Sequence, residues 1–166
     1  MATDQQEAVA APEVWLTADQ QRHWRAYLAG AARLTETLNR QLEQDSGLSL
    51  SEYEILVRLS EAPDHTVRMS ELAASLVHSR SRITHTVTRL ERSGLVRREN
   101  CPGDGRGVNC RLTDAGYGLL AAAAPGHARA VRDALIDRLT DSQLNALGEA
   151  MSLVAPPDVP ASPASS

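Results

Sequence analysis

The stretch Ser79-Arg-Ser-Arg-Ile-Thr-His-Thr-Val-Thr-Arg89 holds the residues of this chain best suited to specific chemistry. Ile83, Val87 and Leu90 recur at helical spacing and predict one buried stripe. Arg80, Arg82, Thr84, His85, Thr88 and Arg89 fall off that stripe. Arginine can pair bidentately with a guanine edge, and Ser or Thr can meet a thymine methyl or a phosphate. Small hydroxyl side chains between the arginines let such a helix enter a groove without bulk. The expected chemistry is therefore recognition of double-stranded DNA. Arg80, Arg82, Thr84 and His85 are the candidates for base contacts. Ser79, Ser81, Thr88 and Arg89 are candidates for phosphate, aided by free amides at the start of the helix. A solvated amphipathic surface is the plain alternative.

Beyond the Gly94 stop, Leu95–Glu99 and Val108–Leu112 alternate as two short strands around the glycine-rich turn Pro102–Gly107. Arg106 at the tip is placed to enter a minor groove, with Asp104 orienting its guanidinium. Arg97, Arg98 and Arg111 read as phosphate contacts, which position a protein without specifying sequence.

Several helices must hold this reading unit. Thr17-Ala-Asp-Gln20 has capping-box form and opens a helix to about Gln44 through Trp24, Tyr27, Leu28, Ala31, Leu34, Leu38 and Leu42, with Gly47 as its stop. Ser51-Glu-Tyr-Glu54 is read as a second capping box, opening a helix through Ile55, Leu56 and Leu59 that closes before Pro63. Ser70 or a neighbour caps the next helix, with Leu72, Ala73 and Leu76 inward, and Ser79 caps the Arg-rich one. Thr113 or Asp114 caps a further helix, which Pro125-Gly126 should kink or break before it resumes through Val131, Leu135, Ile136 and Leu139. Thr140-Asp-Ser-Gln143 is a last capping box, ahead of Leu144, Leu147, Met151 and Val154. The order helix, turn, Arg-rich helix, hairpin is that of a winged helix-turn-helix. The fold expected is mainly α with a small β-hairpin wing, plus a helical dimerisation region. Its divisions are a flexible arm (1–16), an N-terminal dimerisation helix (17–47), a DNA-binding domain (48–112), C-terminal dimerisation helices (113–154) and a disordered Pro/Ala/Ser tail (155–166). The outer helices flank the winged unit instead of enclosing it, so their apolar stripes predict a homodimer.

Charge supports the same placement. The chain carries a net −4 and has no Lys, which at first argues against a polyanionic partner. Yet residues 78–111 hold eight Arg against three acidic residues, while residues 1–77 hold six against twelve. Local potential decides where a polyanion docks. No run is apolar enough to cross a bilayer and the first residues lack a signal-peptide pattern, so a cytoplasmic location with no membrane partner is expected. No nucleophile–base set, phosphate loop or paired-acid motif appears, so no enzyme is expected. Neither a cofactor nor a metal is expected: His23, His65, His78, His85 and His127 have no partner at ligand spacing.

Taken in order, Ser70-Glu-Leu-Ala73, Ser79-Arg-Ser-Arg-Ile83, Arg89-Leu-Glu-Arg-Ser-Gly-Leu-Val-Arg-Arg98, Asp104-Gly-Arg106 and Leu112-Thr-Asp-Ala-Gly116 resemble the MarR family of multiple-antibiotic-resistance regulators. The resemblance covers roughly residues 20–153. It implies a dimeric repressor or activator, with repression the leading expectation, on a near-palindromic operator. It implies that the first and last helices form the dimer interface. It also implies a small-molecule effector, aromatic or anionic, between dimer and DNA lobes. Trp24, Tyr27, Arg58, Arg68 and His127 are the pocket residues expected; core or dimer packing is the competing role for the aromatics. The wing departs from common family patterns in its extra glycines, at 103, 105 and 107, and no cysteine lies in the first helix. Cys101 and Cys110 instead flank the wing turn. They leave two further readings open: a redox-switched regulator through a Cys101–Cys110 disulfide, and a winged-helix interaction module without DNA binding.

Overall fold

The structure, a computed structural model, describes residues 14–76, 80–101 and 104–154, with the backbone alone at 80 and 104–106. The expectations for the N-terminal arm before Val14, for the tail from 155, for Ser79 as a cap and for the side chains of Arg80, Asp104 and Arg106 lie outside the described residues. Six helices and three strands follow one another: α1 (Ala18–Ser46), α2 (Leu50–Ser60), β1 (Thr66–Arg68), α3 (Met69–Ser75), α4 (Arg80–Arg92), β2 (Val96–Cys101), β3 (Asp104–Leu112), α5 (Asp114–Ala134) and α6 (Asp141–Ser152). Short 3-10 turns cover Pro63–His65 and Ile136–Arg138. The chain divides into two units, one ending at Arg33 and the other beginning at Leu34.

In the first unit, Thr17 and Gln20 form the expected reciprocal cap: Thr17 N–H donates to Gln20 Oε1 at 2.8 Å and Gln20 N–H to Thr17 Oγ1 at 3.2 Å. Trp24 and Tyr27 stack with ring centroids 5.7 Å apart. Both remain about half exposed, beside exposed Val14, Trp15, Leu16 and Leu28.

In the second unit, the core joins Leu42, Leu48, Tyr53, Ile55, Leu56, Leu59, Leu72, Ile83, Val87, Leu90, Val96, Cys110, Leu112 and Leu120. The cap of α2 is Ser49, not Ser51. Ser49 Oγ accepts from Glu52 N–H, and the Glu52 side chain takes Ser49 N–H at 2.9 Å. Both serines have a glutamate three residues on, so local sequence allowed either. Starting at Leu50 lets its N–H reach Asn39 Oδ1 of α1 at 2.9 Å. That tertiary bond favours the earlier start. α3 likewise begins at Met69, with Arg68 at its cap position and no side-chain cap bond, so Ser70 is inside the helix. Gly47 and Gly94 end α1 and α4 at φ +72° and +73°, the left-handed conformation glycine adopts without strain.

The sheet is three-stranded, in order β1-β3-β2, and antiparallel throughout. β1 was not expected; three residues between a 3-10 turn and a helix carry too little alternation to read. β2 and β3 run further towards the tip than expected, with a register irregularity at Asn100/Cys101. α5 continues through Pro125 without a break. Proline removes one hydrogen bond, but buried Leu120 and Ala123 hold the helix on α2. It ends at Ala134, earlier than expected, so Leu135, Ile136 and Leu139 lie in or beside the 3-10 turn. α6 has the expected Thr140–Gln143 capping box and no buried residue.

Thr113 locks the base of the wing. Its side chain accepts from Gly116 N–H at 3.0 Å and donates towards the carbonyl oxygens of Gly94 (2.8 Å) and Leu95 (3.0 Å). A Cβ on Gly116 would collide with the Leu95 carbonyl oxygen, so only glycine permits this approach. Nearby, His127 of α5 packs on Tyr53 of α2 with centroids 4.5 Å apart, and its Nδ1 lies 3.3 Å from Gln41 Oε1 of α1. Burial lowers the His127 pKa and raises that of Tyr53.

Two outcomes follow from these contacts. Gly116→Ala lowers the thermal midpoint, at a cost of roughly 1–3 kcal/mol, whereas Gly118→Ala, with nothing within 4 Å of its would-be Cβ, raises the midpoint through a stabilisation of up to ~1 kcal/mol. Differential scanning fluorimetry of both variants checks this. Because the folded His127 pKa is depressed, its contribution to stability is complete above the unfolded value of about 6.5 and is lost as pH falls through the folded value. Melting curves taken between about pH 7.5 and pH 5.5 should show a decline that His127→Gln reduces.

Candidate nucleic-acid interface

The interface is built on α4. Ile83, Val87 and Leu90 are essentially fully buried and fix the inner face. Thr86 is also buried, its hydroxyl turned back to the Arg82 carbonyl at 3.0 Å. Sequence spacing had not placed Thr86 inside. Ser81, Arg82, Thr84 and His85 are exposed on the opposite side, and Thr88 is half-buried with its hydroxyl on the Thr84 carbonyl at 2.8 Å. The described base-contact candidates, Arg82, Thr84 and His85, are all exposed, distributed around the arc of α4 that the buried stripe leaves open.

The wing supplies a second cationic surface. Arg97 and Arg111 stand directly opposite each other in the β2–β3 register, so their side chains share one face of the sheet. Like charges so placed repel, and an anion between them would relieve that repulsion. Arg97 is exposed and also pairs with Glu99 at its own strand. Arg98 points the other way, towards the core side that Val96 and Cys110 define. There its Nε donates to Glu91 Oε2 at 2.9 Å and its backbone N–H to Glu91 Oε1 at 2.9 Å. This hydrogen-bonded pair holds the Glu91 carboxyl below the usual carboxylate range and raises Arg98 further. Arg89 is likewise engaged, with Nη2 3.0 Å from Oε1 of buried Glu52. The sequence expectation of phosphate contacts at Arg89 and Arg98 did not include these carboxylates. Glu52 had been read only as part of the Ser51 box, and no short-range pattern links either glutamate to its arginine.

The cysteines do not form the disulfide left open by the sequence. Both thiols are free. Cys110 stands opposite Arg98, whereas Cys101 stands opposite Asp104, beyond the register irregularity. Their positions are several residues apart along the ladder, at roughly 3.3 Å per residue, too far for disulfide geometry. Cys101 Sγ donates to Asn109 Oδ1 at 2.9 Å. Cys110 is fully buried, and burial pushes its thiol up to about 12.

The pocket candidates fall in both units. Trp24 and Tyr27 belong to the first unit, Arg58, Arg68 and His127 to the second. Arg68 is directed at the wing: its Nη2 lies 2.6 Å from where a Gly107 Cβ would stand. Arg58 Nε is buried without a hydrogen-bond partner. Tyr53, which the pocket expectation left out, is the direct ring partner of His127. No group of His, Cys, Asp and Glu able to hold a metal occurs among the described residues. No helix among them is long and apolar enough to cross a membrane.

Comparison with known proteins places this arrangement. A model of the MarR family matches residues 48–108. The structure of Sco3205 from Streptomyces coelicolor, a MarR family transcriptional regulator solved in complex with DNA, is similar with a TM-score of 0.82 and 49% identity, covering 84% of this chain and 91% of that one. AbsC from the same organism, also a MarR family transcriptional regulator, gives 0.80 and 41% identity, covering 86% and 95%. The HTH-type transcriptional regulator PecS of Dickeya dadantii is 36% identical over 90 residues, which are 53% of this chain and 54% of PecS. The chain spans about half the length of the curated relatives it matches. With the winged helix, its Arg-rich α4 and these likenesses across most of its length, the chain belongs to the MarR family.

Proposed function

We propose that this chain is a sequence-specific, DNA-binding transcriptional regulator that acts as a repressor. The observation that carries the reading is the exposed face of α4, where Arg82, Thr84 and His85 stand opposite a fully buried apolar stripe. A helix held that firmly on one side and polar on the other suits a major groove. The likeness to Sco3205, whose structure contains DNA, supports it. Base contacts are assigned to Arg82, Thr84 and His85, and Arg80 is added from the sequence. Ser81, Thr88, Arg97 and Arg111 take phosphates, with Ser79 added from the sequence. Asp104 and Arg106 are the wing-tip residues for a minor groove.

The protein acts as a homodimer. Exposed Trp15, Trp24, Tyr27 and Leu28 in the first unit, and an α6 with no buried residue, leave apolar surface that a second copy would cover. Segments 17–47 and 113–154 are its dimerisation helices and 48–112 its reading domain. A small aromatic or anionic effector weakens DNA binding by favouring a spacing of the two α4 helices that does not fit the operator. The buried, unpartnered Arg58 Nε and the Tyr53–His127 pair are the features that favour such a ligand. With both thiols free and their positions apart, a Cys101–Cys110 switch has no support.

Selection of bound fragments from random duplex DNA tests the reading. It should return a near-palindrome with half-sites about one helical turn apart, bound with a steep salt dependence. Arg82→Ala should relax preference at one base step by roughly 1–3 kcal/mol. Arg97→Ala should weaken all sequences alike and reduce the salt slope by about 0.9. Absence of any salt-dependent complex would leave a protein-interaction module as the function. Light scattering at micromolar concentration should give twice the chain mass; a monomer would end the dimer reading.

A further inference from the structure

We propose that Arg89 is a positioning residue, not a DNA contact, and that its ion pair with Glu52 sets the angle at which α4 presents its reading face. The proposal rests on the DNA-binding reading above. Glu52 is 5% exposed, and its carboxylate is fully engaged. Oε2 accepts from Ser49 N–H at 2.9 Å and Ser49 Oγ–H at 2.8 Å, while Oε1 meets Arg89 Nη2 at 3.0 Å. The same end of α2 is tied to α1, through Leu50 N–H on Asn39 Oδ1. A line of polar contacts thus runs from α1 through the start of α2 to the last turns of α4. The Glu91–Arg98 pair holds α4 to the wing.

These two pairs do what apolar packing cannot. Ile83, Val87 and Leu90 form a narrow stripe, and a stripe of branched side chains tolerates small rotations about the helix axis. The Glu91–Arg98 pair, hydrogen-bonded through the Arg98 backbone and guanidinium, does not, and the Arg89–Glu52 ion pair adds a charge contact to a second element. Arg89 is about half exposed, so phosphate could compete for it. Taking it would leave a buried carboxylate oxygen without its cation, which costs more than an exposed phosphate contact returns. The geometry therefore keeps Arg89 on Glu52. Small rotations of α4 would shift Arg82 and His85 along the groove, so the pair governs sequence preference.

The test compares Glu52→Gln, Arg89→Gln and the double variant with wild type and Arg97→Ala. Gln at 52 keeps an oxygen acceptor for the Ser49 amide and replaces the charged oxygen facing Arg89 with a neutral donor. Each protein is titrated against the selected operator and a scrambled duplex over a salt series. Both single variants should lose roughly tenfold of the preference for operator over scrambled duplex. The double variant should lose no more than either single one, and the salt slope should match wild type in all three. Deleting an anion near DNA should by simple electrostatics tighten binding, so the sign for Glu52→Gln is decisive. Equal tightening on both duplexes, or a flatter salt slope for Arg89→Gln with Glu52→Gln unchanged, would overturn the proposal while leaving the DNA reading intact. A wild type that binds neither duplex would instead overturn the DNA reading, and the proposal with it.

Discussion

Burial of one narrow stripe on α4 is the constraint on which the rest depends. Ile83, Val87 and Leu90 enter a core that also receives α2 residues Ile55, Leu56 and Leu59 and the sheet residues Val96, Cys110 and Leu112. Each buried side chain stabilises by roughly 1.5–3 kcal/mol relative to exposure, so α4 cannot turn its polar face inward. Everything polar on that helix is then either exposed for recognition or must find a partner within the chain. Arg82 and His85 are exposed, whereas Thr86, Arg89 and Glu91 bond within the chain.

The wing and α5 are locked to this helix by backbone chemistry more than by area. Gly94 lets the chain leave α4 in a left-handed turn, Leu95 N–H closes on the Leu90 carbonyl at 3.0 Å, and Thr113 caps α5 while holding the same turn. Gly116 permits the close contact with the Leu95 carbonyl oxygen. Gly94, Leu95, Thr113 and Gly116 therefore form one connected joint. Movement of α5 would be felt at the base of the wing. This gives a physical route by which an event at Tyr53 and His127, on α2 and α5, could reach the DNA-facing surface.

Positive charge has two distinct uses here. Arg97, paired with Glu99, and Arg111 face each other across β2 and β3 and present two cations on one side of the sheet. Arg89 and Arg98 are paired with Glu52 and Glu91. Composition cannot separate these uses, since all four lie within the same basic stretch of sequence.

Local pattern alone determined much of this protein. Helical periodicity marked the buried face of α4, reciprocal Thr–Gln pairs marked the starts of α1 and α6, and Gly47 and Gly94 marked two helix ends. Each depends on residues within one or two turns of one another, and local sterics and hydrogen bonding suffice to express them. The ordered motifs carried the family. Tertiary structure decided what short-range rules leave degenerate. Ser49 prevailed over Ser51 because Asn39 could satisfy the Leu50 amide only from the earlier start. β1 exists because β3 offers it an edge. Arg89 and Arg98 took their places beside carboxylates brought near by packing, and register kept Cys101 from Cys110. Such pairings join residues distant in sequence, and their energy depends on burial and geometry that exist only once the core has formed.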